Sequence, residues 1–152
     1  MNNKFFTVCG IVEIEGKILL VRHTYGTAKD RLLVPGGYVQ EGELPSCACE
    51  REVLEEAGVT ARAAAVFAVQ CRPEQWCMAF RMEYLGGMPR SDHYENSEVL
   101  LLPVQEAVAR GDITNMSRAV LTAYMHDPGN ALAKGSYRPE SAKPGEYEVF
   151  GV

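Results

Sequence analysis

Three glutamates in one short segment are the residues of this sequence best placed to do chemistry together. Glu52, Glu55 and Glu56 lie between Pro45, a residue suited to the first position of a helix, and Gly58, a residue suited to a helix end. At about 100° per residue, a helix over this segment places the three carboxylates within a sector of about 100°. The segment therefore presents concentrated negative charge on one side of a helix.

The adjacent face of this helix is predicted to pack against the rest of the chain. Its members are Cys49, Val53, Leu54 and Ala57, and Glu50 is the one charged residue among them. Like charges three or four residues apart repel by about 0.2–0.5 kcal/mol per pair. Two interpretations stay open: a solvated acidic surface, or a site where Mg²⁺ or Mn²⁺ neutralises hard oxygen ligands.

The residues around the cluster favour the metal-binding interpretation. Gly36 and Gly37 allow the backbone to pass close to the helix, and Glu43 follows in the connecting loop. Arg51 precedes Glu55 by four residues, so its guanidinium can orient that carboxylate or a neighbouring one.

Together these residues resemble the signature of the Nudix hydrolases, which cleave nucleoside diphosphates linked to another moiety. The signature is G-x5-E-x7-R-E-U-x-E-E-x-G-U, where U is apolar, and seven of its positions are fixed identities. At about 6% usage per residue type, such a match arises by chance about once in 10⁹ starting points. The sequence matches it throughout, at Gly37, Glu43, Arg51, Glu52, Val53, Glu55, Glu56, Gly58 and Val59.

The resemblance implies metal-dependent hydrolysis of a pyrophosphate linkage by attack of water at phosphorus. Glu52, Glu55 and Glu56 would hold Mg²⁺ or Mn²⁺, which explains how an acidic protein attracts an anionic substrate. Gly37 and Arg51 would support the loop and the ligand carboxylates, and Glu43 would either support the loop or take part in the metal shell.

The general base has several candidates. Glu55 or Glu56 of the helix would serve, as would a carboxylate of the later loop near Glu95 and Glu98. We prefer Glu98 for the loop role, and a charged strand edge is the alternative explanation of that residue.

Substrate-binding candidates carry a positive charge or an aromatic ring: Arg22, Arg72, Arg81 and Trp76. The arginines would contact phosphate, although each also fits an ordinary surface charge. Trp76 shares one face of a predicted strand with Phe80 and Tyr84, and core packing of this face is favoured over stacking on a base. The three histidines show no paired metal spacing and are predicted to be incidental.

ADP-ribose or a nucleotide sugar is the first choice of substrate. Pro73 lies 14 residues beyond Val59, close to a downstream proline of ADP-ribose-cleaving members of the family. The alternatives are a house-cleaning nucleoside triphosphate pyrophosphatase and a nucleotide-binding sensor without turnover. The complete set of glutamates favours the enzyme.

The elements that must position these residues form a mixture of strands and helices. We predict an α/β (α+β) fold, and the resemblance implies an α/β/α sandwich with a mixed sheet. Residues 1–126 are predicted to form the Nudix domain, and residues 127–152 an extension that packs on the body or on a partner chain. The predicted strands cover 5–14, 17–23, 32–34, 62–71, 76–85 and 99–102, and the predicted helices cover 45–58, 104–110 and 114–125.

Composition excludes several classes of protein. Fifteen basic against twenty acidic side chains give a net charge of −5, which argues against nucleic acid as a partner. The five cysteines contain no C-x-x-C pair, so neither a disulfide framework nor a zinc knuckle is indicated. No apolar leader or membrane segment is recognisable, and we expect a cytoplasmic protein without a membrane partner. A homodimer is compatible with the apolar end of the extension.

Overall fold

The central strands lie between two layers of helices, because their apolar side chains point alternately to the two faces. In the computed structural model, which describes residues 4–152, the helices are α1 (Pro45–Ala57), α2 (Val104–Ala109) and α3 (Asn115–His126). The strands are β1 (Phe6–Ile11), β2 (Glu13–Ile14), β3 (Lys17–His23), β4 (Leu32–Leu33), β5 (Gly36–Tyr38), β6 (Thr60–Arg72), β7 (Gln75–Gly86), β8 (Asn96–Leu102) and β9 (Leu132–Ala133).

The strands form two sheets. The first has the order β5-β1-β7-β6-β9, in which β1 and β7 run parallel while the other neighbours run antiparallel. In the second, β2, β4 and β8 all pair antiparallel with β3. The parallel pair makes the first sheet mixed, as the sequence predicts.

Two apolar cores lie on opposite sides of the strands. Val8 of β1 packs in the same core as Val53 of α1, whereas the next residue, Cys9, packs in the core that contains Leu121 of α3. This division follows from the period of two along a strand. Helix α1 therefore covers one face and α3 the other, which confirms the α/β/α sandwich.

Helix α1 begins and ends where its sequence predicts, but it is rotated from the predicted packing. Pro45 occupies the first turn, and Gly58 ends the helix with a φ of 71°. Cys49, Val53 and Ala57 are buried as predicted. Leu54, also predicted to pack, is 52% exposed, whereas Glu52 and Glu56 are buried. Helix α1 packs against β1, β5 and β6, and Gly37 of β5 leaves room for the Glu52 carboxylate.

Two local predictions need correction. The strand predicted over 5–14 is interrupted at Val12, whose carbonyl accepts a hydrogen bond from the Leu19 amide at 2.9 Å. Gly36 and Gly37, predicted to end a strand, belong to β5 and pair with β1. The remaining helices and strands up to α3 lie at the predicted places, with ends that differ by a few residues, whereas β9 was not predicted.

The segment after α3 folds back on the body. Strand β9 pairs with β6, and the ring of Phe150 lies 5.6 Å from the ring of Phe80 in the core. All five cysteines are free thiols. Across residues 4–152, no helix is both long and apolar enough to span a membrane.

Candidate metal centre and active site

Three carboxylates converge where α1 meets the loop before β8. One oxygen from each of Glu52, Glu56 and Glu95 lies within 4.8 Å of the others. Glu52 is 9% and Glu56 2% exposed, and Glu95 is partly buried. Because buried like charges repel strongly, this arrangement requires a proton or a cation to neutralise it.

Burial dominates the electrostatics of the two helix carboxylates. It raises the pKa of Glu52 from an ordinary 4.5 to about 7, although contact with the Arg51 guanidinium opposes the shift. Burial also raises the pKa of Glu56, against the opposing effect of His23. For both carboxyl groups, the protonated or cation-bound form is therefore favoured over the free carboxylate.

Two buried polar atoms at this centre have no hydrogen-bond partner among residues 4–152. They are Oε2 of Glu56 and Nε2 of His23, which lie 3.9 Å apart. An orphaned carboxylate oxygen beside two further carboxylates offers the donor set of a hard divalent cation. The residues present thus fit the Mg²⁺ or Mn²⁺ that the sequence predicts.

Gly37 makes room for Glu52. A Cβ atom at this position would lie 2.4 Å from Cδ and 2.5 Å from Oε1 of Glu52. No side chain is compatible with that distance, so the glycine allows the carboxylate to lie directly against β5. The close approach predicted from the Gly36-Gly37 pair is present.

Arg51 connects the carboxylates around α1. Its Nε and Nη2 donate to the two carboxylate oxygens of Glu43 at 2.8 and 3.0 Å. Its Nη1 donates to Glu52 at 2.9 Å and to Glu55 at 3.1 Å, and Nη2 also reaches the carbonyl of Tyr38. The bidentate contact lowers the pKa of Glu43, which stays ionised.

Glu55 lies apart from the other two helix glutamates. Its side chain is 58% exposed and contacts Arg51, whereas the converging oxygens belong to Glu52, Glu56 and Glu95. The structure places Glu55 at the rim, because the rotated helix directs the face of Glu52 and Glu56 toward β5.

Hydrogen bonds within the loop before β8 carry Glu95 to the centre. Oδ1 of Asp92 accepts from the amides of Tyr94, Glu95 and Asn96 at 2.9–3.1 Å. The Asn96 side chain is fully buried, and its Nδ2 donates to the carbonyl of Glu56 at 2.7 Å. The Asn96 side chain therefore joins the loop to the end of α1, together with the Arg90 amide, which donates to the carbonyl of Ala57 at 2.8 Å.

Glu98, the preferred loop carboxylate in the sequence, faces another partner. It lies opposite Arg22 in the β3–β8 pairing, and its Oε2 is 3.7 Å from Nε of Arg22. Arg22 also donates to Oδ2 of Asp112 and to the carbonyl of Asp30, both at 2.9 Å. The structure thus brings Glu95 to the carboxylate centre and places Arg22 and Glu98 in a charged group of their own.

The other substrate-binding candidates are dispersed. Arg81 donates to the carbonyl of Pro128 at 2.9 Å, and Arg72 is exposed at the end of β6. Core packing is confirmed for Phe80, which is fully buried, and is wrong for Trp76, which is 47% exposed. Trp76 lies at the start of the central strand β7, with its ring 5.6 Å from that of Phe5.

Two residues of the centre escaped the sequence analysis. His23, interpreted as incidental, ends β3 beside Glu56, and Tyr25 stacks on it with ring centroids 5.1 Å apart. Burial and the carboxylates of Glu95 and Glu56 raise the pKa of Tyr25 to about 12. In the sequence, His23 and Tyr25 are connected only by their spacing of two residues at the end of a predicted strand.

The chain forms an α/β/α sandwich in which the glutamates of α1 lie against Gly37 of β5 and against Glu95 of the loop before β8. This combination of fold and site is that of the Nudix class. The chain belongs to this family, because the NUDIX domain model matches residues 3–124. That match covers all elements from β1 through most of α3 and leaves the C-terminal segment outside.

Known proteins support the assignment. The chain is 34% identical over 86 residues to an ADP-ribose pyrophosphatase of Methanocaldococcus jannaschii, covering 53% of this chain and 51% of that protein. The chain thus spans about half the length of this curated relative. A NUDIX hydrolase structure from Nitrosomonas europaea has a TM-score of 0.74 at 27% identity, covering 84% of this chain and 73% of the other. A MutT NUDIX hydrolase from Burkholderia pseudomallei has a TM-score of 0.71 at 18% identity, covering 78% and 96% respectively, and shows the shared fold.

Proposed function

We propose that this chain is a metal-dependent pyrophosphohydrolase that cleaves a nucleoside diphosphate linked to another moiety. The observation that carries the proposal is the convergence of Glu52, Glu56 and Glu95, with one buried carboxylate oxygen left without a partner. Membership of the NUDIX family supports hydrolysis of a phosphoanhydride as the reaction.

Glu52 and Glu56 would hold Mg²⁺ or Mn²⁺, with Glu95 facing the cation and Glu55 at the rim. When bound, a divalent cation neutralises diphosphate charge and acidifies the attacking water. Arg51 keeps the carboxylate of Glu52 in place, because it contacts that group and is itself held by Glu43.

We assign the proton-accepting role to Glu95 in preference to Glu98. Glu95 lies beside the carboxylates of α1, whereas Glu98 pairs with Arg22. A general base must lie within hydrogen-bonding reach of the attacking water, so position decides between the two candidates.

ADP-ribose or a nucleotide sugar is the proposed substrate. The curated relative named as an ADP-ribose pyrophosphatase supports this choice. The half-exposed ring of Tyr25 lies next to the carboxylate centre and offers a surface on which a nucleobase or sugar can pack.

The test is chromatographic detection of the nucleoside monophosphate and the second phosphorylated product formed from nucleoside diphosphate derivatives and triphosphates, with Mg²⁺, Mn²⁺ or chelator. We expect cation-dependent cleavage of one diphosphate derivative, and losses of 100-fold or more, on the order of a missing general base, in Glu56→Gln and Glu95→Gln. Glu98→Gln and the exposed control Glu106→Gln should stay near wild type. Cation affinity should fall further in Glu56→Gln than in Glu95→Gln.

Each contrary result has a definite meaning. Loss of turnover in Glu98→Gln but not in Glu95→Gln would reverse the assignment of the base. Cleavage confined to nucleoside triphosphates would replace the proposed substrate class. Binding of a nucleotide without turnover across the panel would replace the hydrolase by a sensor.

A small-molecule nucleotide is the proposed partner, and a cytoplasmic location and a homodimer stay predictions. Size-exclusion chromatography with light scattering of the full chain tests the dimer, since a monomeric mass would contradict it.

A further inference from the structure

Helix α1 lacks a cap from its own neighbouring residues. The N-cap position is Leu44, which makes no side-chain hydrogen bond to the helix. An N-cap side chain ordinarily accepts a hydrogen bond from the amide of the second or third helical residue, and an aliphatic side chain cannot do so. The amide of Ser46, the second residue of the helix, therefore needs an acceptor from elsewhere.

That acceptor comes from the C-terminal segment. Oε2 of Glu148 accepts a hydrogen bond from the Ser46 amide at 3.1 Å, and Oε1 accepts from the Ser46 hydroxyl. The Glu148 side chain is only 6% exposed, and Nζ of Lys134 lies 4.0 Å from Oε1. A carboxylate 102 residues away in sequence thus takes the place of the missing cap, where the helix dipole favours negative charge.

The surrounding chain holds Glu148 at this position. The Gly135 amide donates to the carbonyl of Val149, and the Gly151 amide donates to that of Ala133, both at 2.8 Å. Residues 132–151 form a clasp of two segments that lie side by side, with a bridge between Lys134 and Phe150. A Cβ atom on Gly135 would lie 1.8 Å from the backbone oxygen of Val152, so the chain fits closely here only because a glycine is present. Phe150 anchors the clasp in the core against Phe80.

We infer that Glu148 is a positioning residue for the carboxylate centre, and that the segment outside the family domain is part of the working unit. Ser46 lies three residues after Glu43, the residue that clamps Arg51. An ordered first turn keeps Glu43 and Arg51 in register, and Arg51 in turn holds Glu52. The effect on the cation rests on the proposed function, whereas the effect on the helix does not.

The test compares Glu148→Ala with Glu146→Ala, a matched change at an exposed neighbour. Hydrogen exchange should become about 5- to 10-fold faster in residues 46–52 of Glu148→Ala, with α3 unchanged. Calorimetric Mn²⁺ affinity should fall about 3- to 10-fold, less than the roughly 10- to 100-fold typical of direct contacts to a ligand, because Glu148 acts through the first turn of the helix. Glu148→Gln, which keeps an acceptor oxygen, should recover part of both effects, and Ser46→Ala should reproduce part of them.

Wild-type exchange in residues 46–52 of a folded Glu148→Ala variant would overturn the cap. Equal acceleration of exchange throughout the chain would assign Glu148 to general stability and would overturn the positioning role. Faster exchange with unchanged Mn²⁺ affinity would overturn the link to the carboxylate centre. Failure of the wild-type chain to bind Mn²⁺ would contradict the proposed function, while the exchange experiment would still decide the cap.

Discussion

At the scale of single residues, the candidate site depends on one glycine, Gly37, and on the two buried carboxyl groups of Glu52 and Glu56. Gly37 lets β5 pass within van der Waals contact of the Glu52 carboxylate. Burial then raises the pKa values of Glu52 and Glu56, so the site gains most from a bound cation. Both properties can be altered one residue at a time.

Replacement of Gly37 by alanine should displace Glu52. The new Cβ atom would lie 2.4 Å from Cδ of Glu52, so either the carboxylate or β5 must move. We expect Mn²⁺ affinity to fall about 10-fold or more, and stability to fall by about 1–3 kcal/mol from overpacking. Calorimetry and urea unfolding measure the two effects.

Gly86→Ala is the matched control, because no heavy atom lies within 4 Å of a Cβ atom built there. Its Mn²⁺ affinity should equal that of the wild type. An equal loss of affinity in both variants would contradict the role of Gly37.

Metal-free protein should lose stability as the pH rises from about 5 to 8. The folded-state pKa of Glu52 is raised to about 7, so folding favours its protonated form. This contribution is complete below the ordinary pKa and disappears as the pH rises through the folded value, for a total of about 1–3 kcal/mol. Urea unfolding in chelator at several pH values measures the slope.

In Glu52→Gln the slope should be reduced but not abolished, because the pKa of Glu56 is also raised. Glu106→Gln should keep the wild-type slope. A wild-type slope in Glu52→Gln would show that Glu52 titrates normally in the folded protein.

At the scale of elements, the loop before β8 and the end of α1 behave as one unit. Asn96 begins β8, donates to the carbonyl of Glu56 and accepts at Oδ1 from the Ser91 hydroxyl at 2.6 Å. These contacts set the distance between two glutamates that lie on different elements, Glu56 and Glu95. The geometry of the centre is therefore a property of the contact between helix and loop.

Asn96→Ala should weaken both the fold and the site. It leaves the buried carbonyl of Glu56 without its side-chain donor, at a cost of about 1–3 kcal/mol in the free energy of unfolding. The Ser91 hydroxyl loses the Asn96 side chain but keeps the Asn96 backbone carbonyl as an acceptor. The loop should also release Glu95 from the centre, so that turnover falls more than Mn²⁺ affinity. Urea unfolding, calorimetry and formation of the nucleoside monophosphate measure these effects, with Ser97→Ala as the exposed control.

If turnover in Asn96→Ala fell no more than Mn²⁺ affinity did, Glu95 would not depend on this contact.

At the scale of the whole molecule, folding gathers carboxylates from distant parts of the chain at one point. Part of the negative charge of this acidic chain, whose net charge is −5, is therefore concentrated at the carboxylate centre, where mutual repulsion destabilises the fold. A bound cation would reduce that repulsion. The clasp of residues 132–151 contacts the start of α1 through Glu148, and the carboxylates of the site lie further along the same helix.

Divalent cations should stabilise the whole fold. Binding to the native state alone adds about 2.7 kcal/mol at 100 times the dissociation constant, which raises the Tm of a domain of this size by about 5–10 °C. Thermal unfolding with Mn²⁺ or chelator measures the shift. It should vanish in Glu56→Gln and persist in Glu106→Gln, and a shift of equal size in both would place the bound cation elsewhere.

Local chemistry made much of the fold and part of the site predictable from sequence. Pro45 and Gly58 mark the ends of α1, and the period-two pattern of strands such as β3 and β7 follows from burial on two faces. The Nudix signature from Gly37 to Val59 predicts the family and the candidate ligands on α1, because those ligands lie within two turns of one helix.

Contacts between distant segments required the tertiary structure. The orientation of α1 depends on its packing against β1, β5 and β6, so only the fold shows that Leu54 is exposed and that Glu52 and Glu56 are buried. Glu95 and Glu98 differ by three residues, and hydrogen bonds from Asp92 and Asn96 decide which of them reaches the centre. The contact of Glu148 with Ser46 spans 102 residues and has no local signal. Sequence by itself determined which residue types are available at each turn, whereas three-dimensional packing decided which of them meet.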